Sequence, residues 1–234
     1  MSLWRACLTG LAMASMLLIA ACVNKEPQER AAFIQLLQAR VNDDALLPLP
    51  TLDKAEKKAV GDYADAYEVI TDFQLQMAKS AQDMHAVLEL ETIRSVGEIM
   101  QRQAGLEVAR KTLADSAGRL EDARSKADSA RAKLQLPADL APVYDGVYDE
   151  AVTDPATELM RAASRMDSVA RDALGIAAFV AANAADIQLV EGQARVATPT
   201  LQQELNLRLQ GLNAQSDALT QARRTILLAA RRGE

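Results

Sequence analysis

A seven-residue hydrophobic repeat in the middle of the chain is the feature that most limits its fold. The repeat has Leu106, Leu113 and Leu120 at its centre, with no slip in the spacing. Charged residues lie between its members, as on the exposed face of a helix. Its remaining members are Ile99, Ala127 and Leu134. Three residues after its four middle members come Ala109, Ser116, Ala123 and Ala130. Such a pattern is typical of a long helix that packs nearly parallel or antiparallel to partners.

Three further segments carry the same repeat, with alanine beside many of the larger residues. Helices with one apolar stripe cannot bury it alone, so these segments must pack together. We therefore predict an all-α fold, an elongated antiparallel helical bundle with heptad, alanine-rich seams. The three series are Tyr63, Ile70, Met77 and Met84; Leu159, Met166, Ala173, Val180 and Ile187, with Ala163, Ala170, Ala177 and Ala184; and Leu205, Leu212, Leu219 and Ile226.

Composition agrees with a helical fold. Aromatic residues make up 3% of the 234 residues, with 10 Gly and 7 Pro. Strands favour β-branched and aromatic residues, so a large β-sandwich or doubly wound α/β enzyme is disfavoured. A hydrophobic fraction of 50% argues against general disorder. The net charge of −6 gives no sign of electrostatic binding to nucleic acid.

Helix breakers indicate where the helices join. Residues 43–50 separate a short first helix, about residues 29–41, from a second helix that Thr51 can cap, with Asp53 in its first turn. Residues 135–142 interrupt the helical pattern again. Pro155 is expected at the first position of the next helix. Another joint is expected near residues 89–97. Residues 187–197 could form a small β-hairpin that turns at Glu191 and Gly192, or a plain loop.

The N-terminus resembles a bacterial lipoprotein signal. Met1 to Arg5 has one positive charge, and residues 6–24 carry none. The sequence Ile19-Ala20-Ala21-Cys22 then matches a lipobox, in which small residues precede a lipidated cysteine. We predict that residues 1–21 are cleaved and that Cys22 carries S-diacylglycerol and an N-acyl chain, with no other cofactor. An uncleaved membrane anchor is the alternative.

This processing would define the mature protein. Residues 22–28 would form a lipidated tether and residues 29–234 a single α-helical bundle domain. Cys7 would be removed, which leaves Cys22 with no thiol to pair with. Lipoproteins with Asp after the lipidated Cys commonly stay in the inner membrane. Because Val23 occupies that position here, we expect a periplasm-facing protein of the outer membrane rather than the inner one.

The sequence contains no recognisable catalytic or metal-binding motif. His85 and Glu89 are four residues apart, but a third ligand is not evident. There is no phosphate-binding loop, nucleophile elbow or dinucleotide fingerprint. We therefore predict no catalytic residue and no enzyme activity.

Two polar clusters stand out. Tyr144, Asp145, Tyr148 and Asp149 lie on a short helix between prolines and could bind a cation or form a partner surface, although an exposed helical turn without a binding role is the usual explanation of such residues. The last helix carries Arg223, Arg224, Arg231 and Arg232. Cations near a helix C-terminus interact favourably with its dipole, and binding to anionic lipid is the alternative.

Several segments resemble the YiaF-like bacterial lipoproteins, a family of uncharacterised function. The resemblance covers the mature chain and is carried by Cys22-x-x-Lys25-Glu26, Ala32-Phe33-Ile34, Leu49-Pro50-Thr51-Leu52 and Leu140-x-Pro142-Val143-Tyr144-Asp145. It implies a lipid-anchored envelope protein and brings no catalytic residue.

Two functions agree with these features. The first is a non-catalytic interaction or scaffolding module at the periplasmic face of the outer membrane, held by its lipid anchor and bound to an envelope protein partner. The second is a binding or carrier module for an apolar envelope ligand, held between helices rich in Met and Ala.

Overall fold

The computed structural model describes residues 24–41, 49–87 and 95–231. Its long helices confirm the all-α prediction, and a small two-stranded sheet accompanies them. The helices are α1 (Glu26–Val41), α2 (Lys54–Val60), α3 (Ala64–Ala86), α4 (Val96–Gln101), α5 (Gln103–Arg131), α6 (Ala141–Tyr148), α7 (Asp154–Ala182), α8 (Pro199–Asn213) and α9 (Ser216–Arg231). A 3-10 turn (Gly61–Tyr63) leads into α3, and the strands are β1 (Ile187–Val190) and β2 (Gln193–Val196).

The two N-terminal helices begin at different residues from those expected. Helix α1 starts at Glu26 rather than near residue 29. Helix α2 is capped by Asp53 and not by Thr51, because Asp53 and Glu56 form a capping box. The Asp53 carboxylate accepts from the Glu56 amide at 2.8 Å, and the Glu56 carboxylate accepts from the Asp53 amide at 2.9 Å. A single threonine offers the backbone only one of these two bonds.

Helices α3, α5, α7 and α9 pack in a ring in which each contacts two neighbours closely. Their inner faces bury many of the predicted seam residues, including Met77, Leu113, Leu120, Leu159 and Ile226. Ala184 is an exception, because α7 ends at Ala182 and Ala184 is exposed. Helices α1, α2 and α6 extend this core at one end. A second apolar cluster at the other end joins α4, α5, α7, α8 and β1 through Ile99, Leu106, Ile176, Ile187 and Leu205. The seams therefore hold the whole length of the bundle together.

The pairing of α5 with α6 and α7 is antiparallel. Arg131 binds Asp145 at one end, and Arg110 binds Asp167 towards the other, at 2.8 Å from Nε to Oδ1. The later residue of α5 thus pairs with the earlier residue of the α6–α7 segment, so the two helices run in opposite directions.

A π-helical turn (Asp149–Thr153) joins α6 to α7, so the chain stays helical from Ala141 to Ala182. The expected α-helix start at Pro155 is confirmed, because α7 begins at Asp154 with Pro155 in its first turn, although a π turn rather than a loop precedes it. The Asp154 amide donates to the Asp149 carbonyl five residues back. Pro155 has no N–H for the Ala151 carbonyl four residues back. The buried Gln74 amide lies 3.5 Å from that oxygen and donates to it instead. This continuous helix is about 63 Å long.

The remaining joints partly follow the sequence. Helix α3 ends at Ala86 and α4 begins at Val96, which confirms a break near residues 89–97, although residues 88–94 lie outside the described part. A second break at Arg102 was not expected. The C-terminal heptad series is likewise divided between α8 and α9. Among the described residues, no helix is both long enough and apolar enough to span a bilayer.

The hairpin prediction for residues 187–197 is confirmed. Strands β1 and β2 pair antiparallel, with Val190 opposite Gln193. Glu191 and Gly192 form the two-residue turn with φ of 53° and 78°, the positive values that a type I′ turn requires. The Gly97 amide of α4 donates to the Gly192 carbonyl at 3.0 Å, which holds the tip of the hairpin against the bundle.

Replacing Gly97 with Ala should destabilise the protein. A Cβ at Gly97 would lie 2.6 Å from the Cα of Gly192, so one backbone would have to move. We expect a loss of about 1–3 kcal/mol in the free energy of unfolding, measured by chemical denaturation. Gly118→Ala is the matched control. Its Cβ would meet nothing within 4 Å, and Ala is the better helix former, so this variant should be unchanged or slightly more stable. Equal stability of the two variants would contradict the close approach.

Candidate functional site

All four tyrosines of the chain gather where α1 joins the bundle. Tyr63 ends the 3-10 turn before α3, Tyr67 lies in the first turn of α3, and Tyr144 and Tyr148 come from α6. Phe33 of α1 inserts between them and is fully buried. We call these five residues the aromatic junction. In a chain with 3% aromatic residues, this concentration makes the junction the most distinctive side-chain cluster of the described part.

Four of the five rings of the aromatic junction, those of Phe33, Tyr63, Tyr144 and Tyr148, form a chain of ring contacts. Phe33 stacks on Tyr63 with centroids 5.6 Å apart, and it tilts against Tyr144 at 6.5 Å. Tyr144 in turn contacts Tyr148 at 6.1 Å. Aromatic pairs at these separations add to the energy of burial. Phe33 therefore ties α1 to both α3 and α6.

Each tyrosine hydroxyl in the junction donates a hydrogen bond. Tyr144 donates to the Ala66 carbonyl at 2.8 Å, and Tyr67 donates to the Pro50 carbonyl at 2.8 Å. Tyr63 donates to the Glu26 carboxylate at 2.6 Å, and Tyr148 donates to the Asp128 carboxylate at 2.7 Å. These bonds link α1, α3, α5, α6 and the segment before α2. Burying the rings therefore leaves none of these hydroxyls unsatisfied.

Two arginines flank the junction. Arg40 of α1 lies 5.1 Å from the Tyr67 ring centroid, binds the Tyr67 hydroxyl and pairs with Glu56 at 2.7 Å. Arg131 of α5 lies 4.5 Å from the Tyr148 ring centroid. Guanidinium groups over aromatic faces are attracted by the ring quadrupole. The pairs are partly exposed, so their role is to orient the helices rather than to add much stability.

The acids of α6 face Arg131. Its guanidinium is 2.7 Å from the Asp145 carboxylate and 3.6 Å from that of Asp149. Near the N-terminus of α1, Arg30 pairs with Asp139 at 3.2 Å. Polar contacts thus surround the buried rings on several sides.

The junction raises the pKa of its tyrosines. Burial, followed by the hydrogen bond to Glu26, raises the pKa of Tyr63 to about 12. Burial is also the main reason that the pKa values of Tyr144 and Tyr148 are raised, and the Asp128 carboxylate adds to the effect on Tyr148. The hydroxyls therefore stay protonated near neutral pH and act as donors.

The predicted anchor residues Ile19, Ala20, Ala21 and Cys22 lie outside the described residues, so signal cleavage and lipidation stay predictions. The predicted tether of residues 22–28 is three residues too long, because residues 26–28 already belong to α1. The segment from Cys22 to Lys25 can span at most about 14 Å. If Cys22 is lipidated, α1 and the junction must lie close to the bilayer.

The partner surface predicted from Tyr144, Asp145, Tyr148 and Asp149 needs correction. Both tyrosine rings are fully buried, because the inner face of α6 packs against α1, α3 and α5. The two aspartates lie nearer the surface and pair with Arg131. A partner therefore has no access to the rings. The four-residue spacing of the tyrosines on an amphipathic helix was the signal that both face the core.

His85 lies in the last turn of α3, and Glu89 falls outside the described residues. Within residues 24–41, 49–87 and 95–231, no group of three or more His, Cys, Asp or Glu residues could hold a metal ion. Sequence reasoning missed Arg40 and Arg131 as members of the site. Charged residues on helix surfaces are common, and nothing in the spacing marks these two as lying over aromatic rings.

Tyr144→Phe should lower the free energy of unfolding by about 1 kcal/mol, because it removes a buried hydrogen bond and little packing. The effect can be measured by urea denaturation. Tyr63→Phe, whose hydroxyl binds a partly exposed carboxylate, serves as the comparison and should cost less. A larger loss for Tyr63→Phe would show that the Ala66 contact does not form as described.

Stability should fall as pH rises above about 10. In the unfolded chain the pKa of tyrosine is about 10, whereas the fold raises that of Tyr63 to about 12. A raised pKa in the folded state contributes stability that is complete below the unfolded value and is lost as pH rises towards the folded value. The melting temperature followed by circular dichroism should therefore drop across this interval, less so in Tyr63→Phe. A pH-independent melting temperature would contradict the prediction.

Comparison with known proteins gives a family but no activity. The uncharacterised protein YiaF of Escherichia coli K12 is 26% identical over 230 residues, which cover 97% of this chain and 96% of that protein. The YiaF proteins of E. coli O157:H7 and Shigella flexneri match to the same extent. No solved structure matches the chain. A model of the DUF3053 family matches residues 10–227. The chain therefore belongs to the DUF3053 family, proteins of unknown function.

Proposed function

We propose that this protein is a lipid-anchored, non-catalytic interaction or scaffolding module at the periplasmic face of the bacterial outer membrane. The observation that carries the proposal is the way in which α1 joins the bundle. This helix begins four residues after the predicted lipidation site Cys22 and is tied to α3 and α6 by the aromatic junction.

The contacts of α1 are suited to holding a folded domain at a membrane. Phe33 and Leu37 are fully buried, and Arg40 binds the Tyr67 hydroxyl, the Pro50 carbonyl and Glu56. A lipid on Cys22 would therefore act on a helix that is packed into the core, rather than on a flexible tail. Acyl chains on a cysteine give stable anchoring, because each buried methylene contributes about 0.8 kcal/mol.

The length of the bundle supports a scaffolding role. The continuous helix from Ala141 to Ala182 starts beside α1 and ends before the hairpin. It would place the hairpin about 60 Å from the anchored end. Such a shape can offer a docking surface away from the bilayer. Val23 after the lipidated cysteine favours the outer membrane as the site of attachment.

The use of polar side chains supports a non-catalytic role. The junction hydroxyls are engaged in structural hydrogen bonds, and Arg40 and Arg131 pair with carboxylates. Within the described residues, no buried side-chain nitrogen or oxygen lacks a hydrogen-bond partner. Active sites often keep polar groups free to bind a substrate, whereas the raised pKa values of the junction tyrosines arise mainly from burial.

Cys22→Ser tests the anchor. The wild-type protein should fractionate with membranes and take up an alkyne-labelled fatty acid, and the variant should lose both properties because serine lacks the thiol. Membrane fractionation and labelling of whole cells measure this directly. Separation of inner and outer membranes on a density gradient then tests the sorting.

Cys7→Ser is the matched control, since Cys7 is the other cysteine of the chain and lies in the predicted signal peptide. It should behave as wild type. Membrane attachment and fatty-acid uptake that persist in Cys22→Ser would overturn the proposal. Loss of labelling in Cys7→Ser but not in Cys22→Ser would show that Cys7, and not Cys22, carries the lipid.

A further inference from the structure

Helix α8 is attached to the bundle mainly on one side. It packs on α7 and also meets β2, whereas α9, which is of similar length, lies between α3 and α7. All 15 residues of α8 are described, and among them Leu205 alone is buried. Helix α9 has 16 residues and buries Ala222, Ile226, Ala229 and Ala230. Fewer buried side chains therefore hold α8 in place than hold α9.

A single stripe of leucines makes the contact with α7. Leu205, Leu209 and Leu212 are spaced by four and three residues, so they share one face of α8. They pack in the second apolar cluster together with Ile176 of α7, and Leu209 and Leu212 are only partly buried there. Leu207, on the opposite face, is 61% exposed. Moving this stripe away from α7 would uncover the apolar side chains of both helices.

No side-chain hydrogen bond or ion pair links α8 to another described element. Gln202 donates to Asn206 at 3.0 Å, and Arg208 pairs with Glu204 at 2.7 Å, both within α8 itself. The Arg208 guanidinium carbon lies 4.6 Å from the centroid of the Phe179 ring on α7. A cation–π contact at an exposed site is weak. The attachment of α8 therefore depends on apolar burial, which is not directional.

The chain is held just before and just after α8. The Ala197 amide donates to the Asp186 carbonyl at 2.8 Å, which closes the hairpin. The Gln215 side-chain amide donates to the Asp172 carboxylate of α7 at 2.6 Å. Between these points α8 is bounded by Thr198, whose backbone is extended, and by the turn at residues 214–215. A change confined to α8 can therefore leave the hairpin and α9 in place.

We propose that α8 is a cover that opens locally and as a unit while the rest of the bundle stays folded. Segments with few buried apolar contacts open at a lower free energy than the core of a protein. Once away from α7, α8 would be a lone helix of 15 residues, a length that is marginally stable in water. Its backbone hydrogen bonds and its leucine contacts are therefore lost together.

Opening changes the surface of the bundle. The closed state hides Leu205 and the α7 side chains beneath the leucine stripe, and the open state brings both to water. The bundle thus gains an apolar surface beside the hairpin that the closed state lacks. This inference goes beyond the proposed function, and it holds with or without a lipid on Cys22.

Hydrogen exchange of the full-length protein in detergent micelles tests the opening without any substitution. Mass spectrometry of peptides follows the amides of α8 and α9, leaving out the first turn of each helix, whose amides have no helical partner. We expect the α8 amides to share one opening equilibrium and to exchange at least about tenfold faster than those of α9. Equal protection of the two helices would overturn the inference. Rates graded inward from one end of α8 would do the same, because they indicate fraying.

Leu205→Ala and Leu207→Ala form a matched pair within α8. Loss of the buried Leu205 side chain weakens the closed state, so exchange in α8 should rise at least about tenfold. Leu207 is exposed and Ala is the better helix former, so exchange in Leu207→Ala should be unchanged or slower. Equal exchange of α8 in the two variants would show that the leucine stripe does not hold it closed.

Thiol labelling measures the opening independently. In Leu205→Cys, reaction with a water-soluble maleimide requires α8 to open, and peptide mass spectrometry distinguishes this thiol from Cys7 and Cys22. Ile226→Cys is the control on α9, because Ile226 is also buried. We expect Leu205→Cys to react at least about tenfold faster than Ile226→Cys in the absence of urea. Equal rates would show that α8 opens only when the whole bundle unfolds, and would overturn the inference.

Discussion

The antiparallel packing of α5 against the continuous α6–α7 helix is the contact on which the rest of the structure depends. The two helices run side by side along the bundle and contribute to both apolar clusters. Leu113 and Leu120 of α5 face the same core as Leu159 of α7. The ion pair from Arg110 to Asp167 and the contacts of Arg131 with α6 set the register. Other helices then cover the two open sides of this pair.

The continuous helix needs a local solution to a proline. Pro155 would normally end or kink a helix, because it removes a hydrogen bond to the carbonyl four residues back. Here the π-helical turn before it and the Gln74 amide together accommodate that loss. Gln74 also accepts from the Leu49 amide at 2.8 Å, so one buried side chain holds both the π turn and the segment that leads to α2. The joint between α1 and the bundle thus depends on the same region as the long helix.

The aromatic junction connects the predicted anchor to this framework. Phe33 carries α1 into contact with Tyr63 and Tyr144, and Arg40 adds polar contacts to Tyr67 and Glu56. The lipid, the junction, the long helix and the hairpin are arranged in series from the membrane outward in the proposed function. If Cys22 is lipidated as proposed, a protein built in this way would hold its hairpin end away from the bilayer.

Much of the helical architecture could be read from residue spacing, whereas the site could not. The repeat that contains Leu106, Leu113 and Leu120 predicted buried positions on α5, and all three are buried. The four-residue spacing of Tyr144 and Tyr148 was read as a surface, although both rings lie in the core. Nearby acids made that turn look solvent-exposed, and only the position of α1 against α6 shows which side of the helix is covered. Asp53 could have been preferred to Thr51 from the D-x-x-E spacing of a capping box.

The sequence by itself determined the helical class of the fold and the heptad stripes that pack together, because both follow from local spacing. It left residues 187–197 open between a hairpin and a loop, and the bond from the Gly97 amide to the Gly192 carbonyl shows how the bundle holds the hairpin. Tertiary structure decided how those stripes meet. It united α6 and α7 through a π turn, divided α8 from α9, brought Arg40 and Arg131 over tyrosine rings and set Gly97 of α4 against the tip of the hairpin. These features depend on contacts between residues that are distant in sequence, and local preferences carry no information about such contacts.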